Sequence, residues 1–163
     1  MTTHEPDGLT IREATDGDSE QLIALIEAVY SEYPGCVLDV EGEAPHLLRP
    51  ASAFAERGGT LWVAELDGAV VGCCGFADRG EALELLSLYV AARARQRGLG
   101  RRLAGLVEAA GRRLGRPRLE LWTDTRFLDA HRLYEQLGYV RGGTRELHDI
   151  SESAEHHYRK SLV

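Results

Sequence analysis

The sequence predicts an α/β (α+β) fold: a mixed, mostly antiparallel sheet of about seven strands, with a central parallel pair and flanking helices. Three observations carry this. Short segments of two-residue alternation are interleaved with longer ones in which apolar residues recur at 3.6-residue spacing. Asp67-Gly68 stands between two apolar runs, and Asp-Gly readily takes the positive φ values of a type I′ hairpin turn. Over residues 82–123 a strand, a long helix and a second strand follow one another, the order that joins parallel neighbours. With 163 residues, 44% of them hydrophobic, the chain is expected to form one domain over 1–163, with 1–8 as a disordered tail.

Leu9 and Ile11 alternate as a first strand, and Asp18 with Gln21 reads as a capping box opening a helix. Leu22, Leu25, Ile26, Val29 and Tyr30 then form one apolar stripe, and Tyr33-Pro34-Gly35 stops it. From there to Gly59 the chain is irregular and rich in acids, with a short helix over 51–57 closed by Gly58-Gly59; a segment of this length suits a functional cover. Strands follow at 60–66, 69–77 and 82–90. Leu99, Leu103, Leu106, Val107, Ala110 and Leu114 keep helical spacing until Gly115, and 118–123 is again a strand. A shorter helix over 128–137 ends at Gly138, and 139–147 with 155–162 closes the sheet as an antiparallel pair.

Three cysteines give neither a disulfide framework nor a Cys-x-x-Cys spacing. Cys73 and Cys74 lie in an apolar run and read as small buried hydrophobes, whereas Cys36 follows a turn and stays open. No apolar run approaches the ~20 residues of a membrane span, and the polar start lacks the features of a signal peptide, so a cytoplasmic location without membrane partners is expected. His156 and His157 have no metal-ligand spacing, and no metal is expected. Trp62 and Trp122 fall in strands and read as core.

The net charge of -7 conceals a basic stretch: residues 91–118 hold nine arginines against one acid, Glu108. Within it, Arg95-Gln96-Arg97-Gly98-Leu99-Gly100-Arg101-Arg102 joins a strand end to a helix start. The first turn of a helix offers unpartnered N–H groups and the positive end of the macrodipole, and glycines let a diphosphate approach the backbone. Arginines 97, 101 and 102 are placed to neutralise outer phosphate charge. No lysine follows the glycines, which excludes a Walker A loop. Leu103 replaces the third glycine of a dinucleotide fingerprint, and only one crossover unit is visible.

Arg95 to Gly100, read as Arg-x-x-Gly-x-Gly, resembles the acyl-CoA signature of the GNAT superfamily of N-acyltransferases. Downstream, the run from Ala130 to Tyr139 resembles that family's Ala-x-x-Leu-Tyr-x-x-x-Gly-Phe/Tyr segment. With the order of elements, the resemblance covers nearly the whole chain. It departs at two positions. Gln96 stands where the family more often has a glycine, and Phe127 where it often has an asparagine that contacts pantetheine, a bond then missing or supplied by Asp124 or Thr125.

The resemblance implies acetyl-CoA as co-substrate and transfer of the acetyl group to a primary amine by direct attack in a ternary complex. Leu88, Val90, Arg95, Gln96, Arg97, Gly98, Leu99, Gly100, Arg101, Arg102 and Tyr134 would hold the cofactor. Tyr134 matches the family's proton donor to the departing thiolate, against packing as the alternative. Val90 N–H is the oxyanion candidate, against an ordinary ladder bond. Glu84 occupies a strand position at which some members carry a general base; the alternatives are a solvated strand end or an ion-pair partner of the substrate, with water as base. Alternation would put Glu84, Leu86, Leu88 and Val90 on one face. His131 reads as a surface imidazole. The acceptor would lie under two acidic covers, one bearing Glu32, Tyr33, Asp39, Glu41 and Glu43, the other Asp149, Glu152 and Glu155, and negative walls would favour a cationic small-molecule or peptide amine. Two further readings compete: a non-catalytic acyl-CoA-binding sensor, and a nucleic-acid-binding module on the arginine stretch. The acidic remainder and the lack of aromatics among the arginines argue against nucleic acid. A homodimer is left open.

Overall fold

A computed structural model describes residues 3–4 and 8–163. Among these, the strands are β1 (Thr3–His4), β2 (Leu9–Glu13), β3 (Leu61–Leu66), β4 (Ala69–Asp78), β5 (Ala82–Val90), β6 (Arg118–Asp124), β7 (Val140–Glu146) and β8 (Ala154–Ser161). They form one sheet in the order β1-β2-β3-β4-β5-β6-β8-β7, antiparallel throughout except for β5 beside β6. Seven are the strands expected from the sequence. The eighth, β1, falls in the segment expected as a tail: Thr3 and His4 pair with Ile11 and Thr10, while residues 1–2 and 5–7 lie outside the described residues.

The helices are α1 (Ser19–Tyr30), α2 (Val40–Glu43), α3 (Pro50–Glu56), α4 (Leu99–Arg113) and α5 (Leu128–Gln136). One face of the sheet is covered by α1 and α3, whose Leu22, Leu25, Val29 and Phe54 pack with Val70 and Cys73. The other is covered by α4 and by Tyr134 of α5, packed with Val71, Cys74 and Phe76. With helices on both sides, β4 needs apolar residues at every position, which is why Val70 to Phe76 reads as a continuous run. Both cysteines of that run are fully buried.

Local chemistry sets the joints. Asp67 and Gly68 have φ of 52° and 81°, so the hairpin between β3 and β4 is the type I′ turn that Asp-Gly favours. The start of α1 differs from expectation. The box is formed by Thr15 and Asp18 around a preceding 3₁₀ turn, with the Thr15 N–H donating to Asp18 at 2.7 Å. Gln21 instead accepts the backbone N–H of Val70, tying α1 to the start of β4. Asp18 also takes both terminal nitrogens of Arg12 at 2.8 Å each, which locks β2 to α1.

One irregularity positions everything that follows. Gly75 is opposite Leu86 and Cys73 opposite Tyr89, so two residues of β5, Ser87 and Leu88, face one of β4. Ser87 carries the bulge at φ 58°. On the other side, β5 pairs with β6 only from Ala82/Arg118 to Glu84/Glu120, whereas β6 continues beside β8 as far as Asp124/Glu155. Beyond Glu84 the two central strands therefore part, and a cleft opens between them.

The Arg12 hydrogen bonds hold the Asp18 carboxyl below its ordinary range against the opposing effect of burial. A depressed folded-state pKa contributes stability that is present above the unfolded value and lost as pH falls through the folded one. Asp18→Asn is therefore expected to cost about 1–3 kcal/mol at neutral pH, and the deficit to shrink below about pH 4. Urea titrations of both proteins between pH 3 and 7 check this, and a deficit independent of pH would contradict it.

Candidate active site

After β5 the chain makes a 3₁₀ turn over Ala92–Ala94, then passes through left-handed Gln96 and Gly98, at φ of 62° and 73°, into α4. Gly98 is the N-cap of α4. Arg102 N–H donates to Gly98 O at 3.0 Å, so the N–H groups of Leu99, Gly100 and Arg101 precede the first bond of the helix and project from its positive end. Gly100 admits α5: a Cβ there would sit 3.1 Å from the Leu133 side chain. Between this loop, the end of β5 and α5 runs a groove of about 510 Å³. Its polar lining includes Arg95, Gln96, Arg101 and Arg132.

Arg95 is built into the wall. Its Nε donates to Val90 O at 3.0 Å, and its terminal nitrogens clasp both oxygens of Glu32 at 2.6 and 2.7 Å. The pair keeps Glu32 below the usual carboxylate range and Arg95 above the usual guanidinium range. Glu32 thus fastens the loop to the end of α1 and is not a free negative wall for an acceptor. Arg101 extends along the groove and donates to Gln136 at 3.1 Å. Arg97 and Arg102 are not among the lining residues, and Arg132, on the second signature helix, takes a place that sequence reasoning did not assign.

The cleft between β5 and β6 forms a second cavity of about 260 Å³. Leu88, Tyr89, Phe127 and Ala130 line both cavities, so groove and cavity share a wall at the bulge. Tyr134 faces the second cavity. It is 4% exposed, and its hydroxyl makes no hydrogen bond to a described residue. Burial raises its pKa well above the ordinary value, so the hydroxyl stays protonated. Tyr33 lines the groove and packs on Phe127 at 4.8 Å, and Tyr30 joins the Tyr89 hydroxyl at 3.1 Å. Phe127, where a polar contact was missing, thus anchors an aromatic partition.

Val90 is oriented by alternation. Ala91 N–H donates to Val71 O at 2.8 Å, and Val90 is the Cα partner of Gly72. Successive N–H groups of a strand point in opposite directions in the sheet plane, so Val90 N–H turns away from β4 into the gap that β6 has left. Glu84 is not brought to the cleft. It sits at the last paired position of β5 and β6, accepts Arg79 Nε and Nη2 at 2.9 and 2.8 Å, and lines neither cavity. The expected shared face with Leu88 and Val90 fails because the bulge inserts a residue: Leu86 packs with the α1 side, Leu88 and Val90 with the α4 side.

The acceptor-side residues also divide. Glu43 lines the second cavity, while Glu41 is exposed and lines neither. Asp149 and Glu155 of the other cover are present, joined by Asp124. Burial pushes the Asp124 carboxyl up, but hydrogen bonds from Arg126 prevail and hold it below its ordinary value. Glu155 accepts Arg145 at 2.8 Å, and that guanidinium lies 3.9 Å over the ring of Trp122. Trp122, expected in the core, lines the cavity instead. His131 is buried, not superficial, and bonds the Asp124 carbonyl at 2.9 Å. Two straps meet over the mouth: Val37 N–H donates to Ser151 Oγ at 2.8 Å, Ser151 returns a bond to Val37 O, and Ile150 N–H donates to Glu43. Among the described residues no helix is long and apolar enough to cross a membrane, and no group of three or more His, Cys, Asp or Glu is arranged to hold a metal.

Comparison with known proteins identifies the family and the fold. Residues 23–139 match the acetyltransferase (GNAT) family. The uncharacterized N-acetyltransferase YjgM of Escherichia coli K12 is 29% identical over 145 residues, covering 85% of this chain and 86% of that protein. A GNAT-family acetyltransferase of Staphylococcus aureus Mu50 superposes with a TM-score of 0.82 at 19% identity, over 95% of this chain and 99% of the other. YncA of Salmonella typhimurium, described as a putative acetyltransferase and solved with its cofactor acetyl-CoA, gives 0.73 at 19%, over 96% and 95%. At these identities the structural likeness is one of fold.

The cysteines offer a direct check on the second cavity. Cys36 lines it, and burial lifts its thiol above the ordinary range; Cys73 is fully buried and pushed up to about 12. A thiol reagent at pH 8 is expected to label Cys36 alone in the native protein, more slowly than free cysteine, and Cys73 and Cys74 only after unfolding. Mass spectrometry of the labelled peptides reads the result, and native labelling at Cys73 or Cys74 would contradict it.

Proposed function

Because the chain belongs to the GNAT acetyltransferase family, and so is an acetyltransferase, we propose that it moves an acetyl group from acetyl-CoA to a primary amine, the cofactor lying in the larger groove and the amine in the smaller cavity. The observation that carries this reading is the wall shared by the two spaces at Leu88, Tyr89, Phe127 and Ala130. Substrates entering from opposite sides meet there, which suits direct attack without a covalent enzyme intermediate.

The thioester supplies an activated carbonyl and a thiolate leaving group; the chain supplies position, charge and protons. The N–H groups of Leu99, Gly100 and Arg101 take the diphosphate at the N-terminus of α4, and Arg101 and Arg132 balance its outer charge. The exposed backbone edge of β5 at Leu88 and Val90 receives the pantetheine arm in place of the missing strand neighbour. Val90 N–H is aimed where oxyanion charge develops. Tyr134, protonated and without a competing partner, donates to the departing thiolate. With Glu84 engaged by Arg79, the acceptor ammonium sheds a proton into the carboxylate-lined cavity and not to that residue, and the neutral amine then attacks.

Two substitutions separate binding from chemistry. Tyr134→Phe is expected to lower kcat about 100-fold or more while leaving affinity for coenzyme A intact, read by thiol release and by calorimetry. Retained turnover would remove the hydroxyl from the mechanism, and coenzyme A binding by the wild type without thiol release for any amine would favour the sensor reading. Gly98→Val sets a β-branched residue at φ 73° and disturbs the cap. Coenzyme A affinity is expected to fall about tenfold or more, a cost of about 1.4 kcal/mol per decade. Unchanged affinity would place the diphosphate elsewhere.

A further inference from the structure

The second cavity carries more negative charge than transfer to a simple amine requires. Four carboxylates line it, those of Glu43, Asp124, Asp149 and Glu155, and no lysine, arginine or histidine does. Two are matched within the fold: Asp124 by Arg126 at 2.8 Å and Glu155 by Arg145 at 2.8 Å. The other two have only backbone hydrogen-bond partners, with Asp149 also in the field of Arg126. Glu43 accepts Ile150 N–H at 2.9 Å and Asp149 accepts Ser153 N–H at 2.8 Å. A backbone N–H satisfies one lone pair and leaves the charge in place. Both residues belong to the straps over the mouth, which Ser151 and Val37 hold together.

The other end of the same cavity points to a ligand by itself. There the Tyr134 hydroxyl, on a side chain 96% buried by its 4% exposure, faces the space without a hydrogen-bond partner among the described residues. That end adjoins the cofactor groove through Leu88 and Ala130. Between the ends, the walls are the aromatic and aliphatic surfaces of Tyr30, Trp122, Phe127 and Leu147. The space therefore has a reactive end, an apolar waist and an anionic mouth.

We propose that the acceptor is a small dication, an alkyl-linked diamine or an amine bearing a guanidinium, whose second cation sits between Glu43 and Asp149 while the first faces Tyr134 and Val90. The proposal rests on the N-acetyltransferase reading above and names its substrate class. A methylene chain matches the waist, and a remote cation pairs with two strap carboxylates that no cationic side chain of the protein hydrogen-bonds. A volume of about 260 Å³ admits a linear diamine. Glu43 and Asp149 act on selectivity and touch none of the reacting atoms.

The test compares α,ω-diaminoalkanes of four to six carbons, and agmatine, with n-alkylamines of equal length, by thiol release from acetyl-CoA in the full chain. Diamines or agmatine are expected to exceed the matched monoamine about tenfold or more in kcat/KM, chiefly through KM. Glu43→Gln and Asp149→Asn keep the oxygens that accept Ile150 and Ser153 and remove only the charge. Each is expected to lower the dication-to-monoamine ratio about threefold or more, with coenzyme A affinity and melting temperature as controls on folding. Equal rates for diamines and monoamines, or ratios that both variants leave unchanged, overturn the proposal while acetyl transfer stands. Calorimetry of 1,4-diaminobutane and butylamine against the coenzyme A complex separates the two readings. Preferential diamine binding without thiol release from any amine would sink the transferase reading and keep the cation subsite; no preference in binding would sink the subsite.

Discussion

A broken hydrogen-bond ladder organises this protein. Parallel neighbours β5 and β6 share only three paired positions, and the bulge at Ser87 and Leu88 turns the rest of β5 away. In a closed sheet the groups at the end of β5 would be spent on a neighbour, and an exposed edge in the middle of a sheet would be a liability. Here that edge becomes the wall common to two cavities. The same bulge rotates the faces of β5, so Tyr89 and Leu88 reach both spaces while Glu84 stays below the opening.

Around the open strand edge, ion pairs brace the loop, the strand ends and the turns. Arg95 and Glu32 link the loop to the end of α1, Arg126 and Asp124 brace the end of β6, and Arg116 joins Asp78 across the foot of the β4–β5 turn. Arg112 pairs with Glu108, which also meets Lys160 of β8 at 2.8 Å. Exposed pairs of this kind add little stability singly, but each fixes a direction. They also explain the charge pattern. Arg95, Arg116 and Arg118 of the basic stretch are committed to carboxylates outside it.

The two cavities differ in the source of their polarity. In the groove it comes from the backbone of a helix end, reinforced by Arg101 and Arg132. In the smaller cavity it comes from side chains on two straps, which vary without disturbing the sheet. Under the proposed reading, cofactor binding rests on the fold and acceptor choice on a few residues at the mouth.

Seven strands, both long helices and the Asp67-Gly68 turn were legible from the sequence, because each reports itself through local periodicity or local backbone preference. The glycine-bearing loop before α4 and the place of Tyr134 on α5 were legible for a related reason: short, fixed spacings along the chain mark both. The tertiary structure alone decided the rest. Glu84 left the site because one inserted residue in β5 reversed the alternation from which its direction was read, and a bulge has no local signature in Leu86-Ser87-Leu88. Glu32 became a lock, Trp122 a cavity wall and His131 a buried partner of a carbonyl because partners 63, 23 and 7 residues away claimed them or their neighbours. Spacing along a chain encodes what contiguous residues can do together; which distant charge reaches a given carboxylate first is settled only when the sheet has closed.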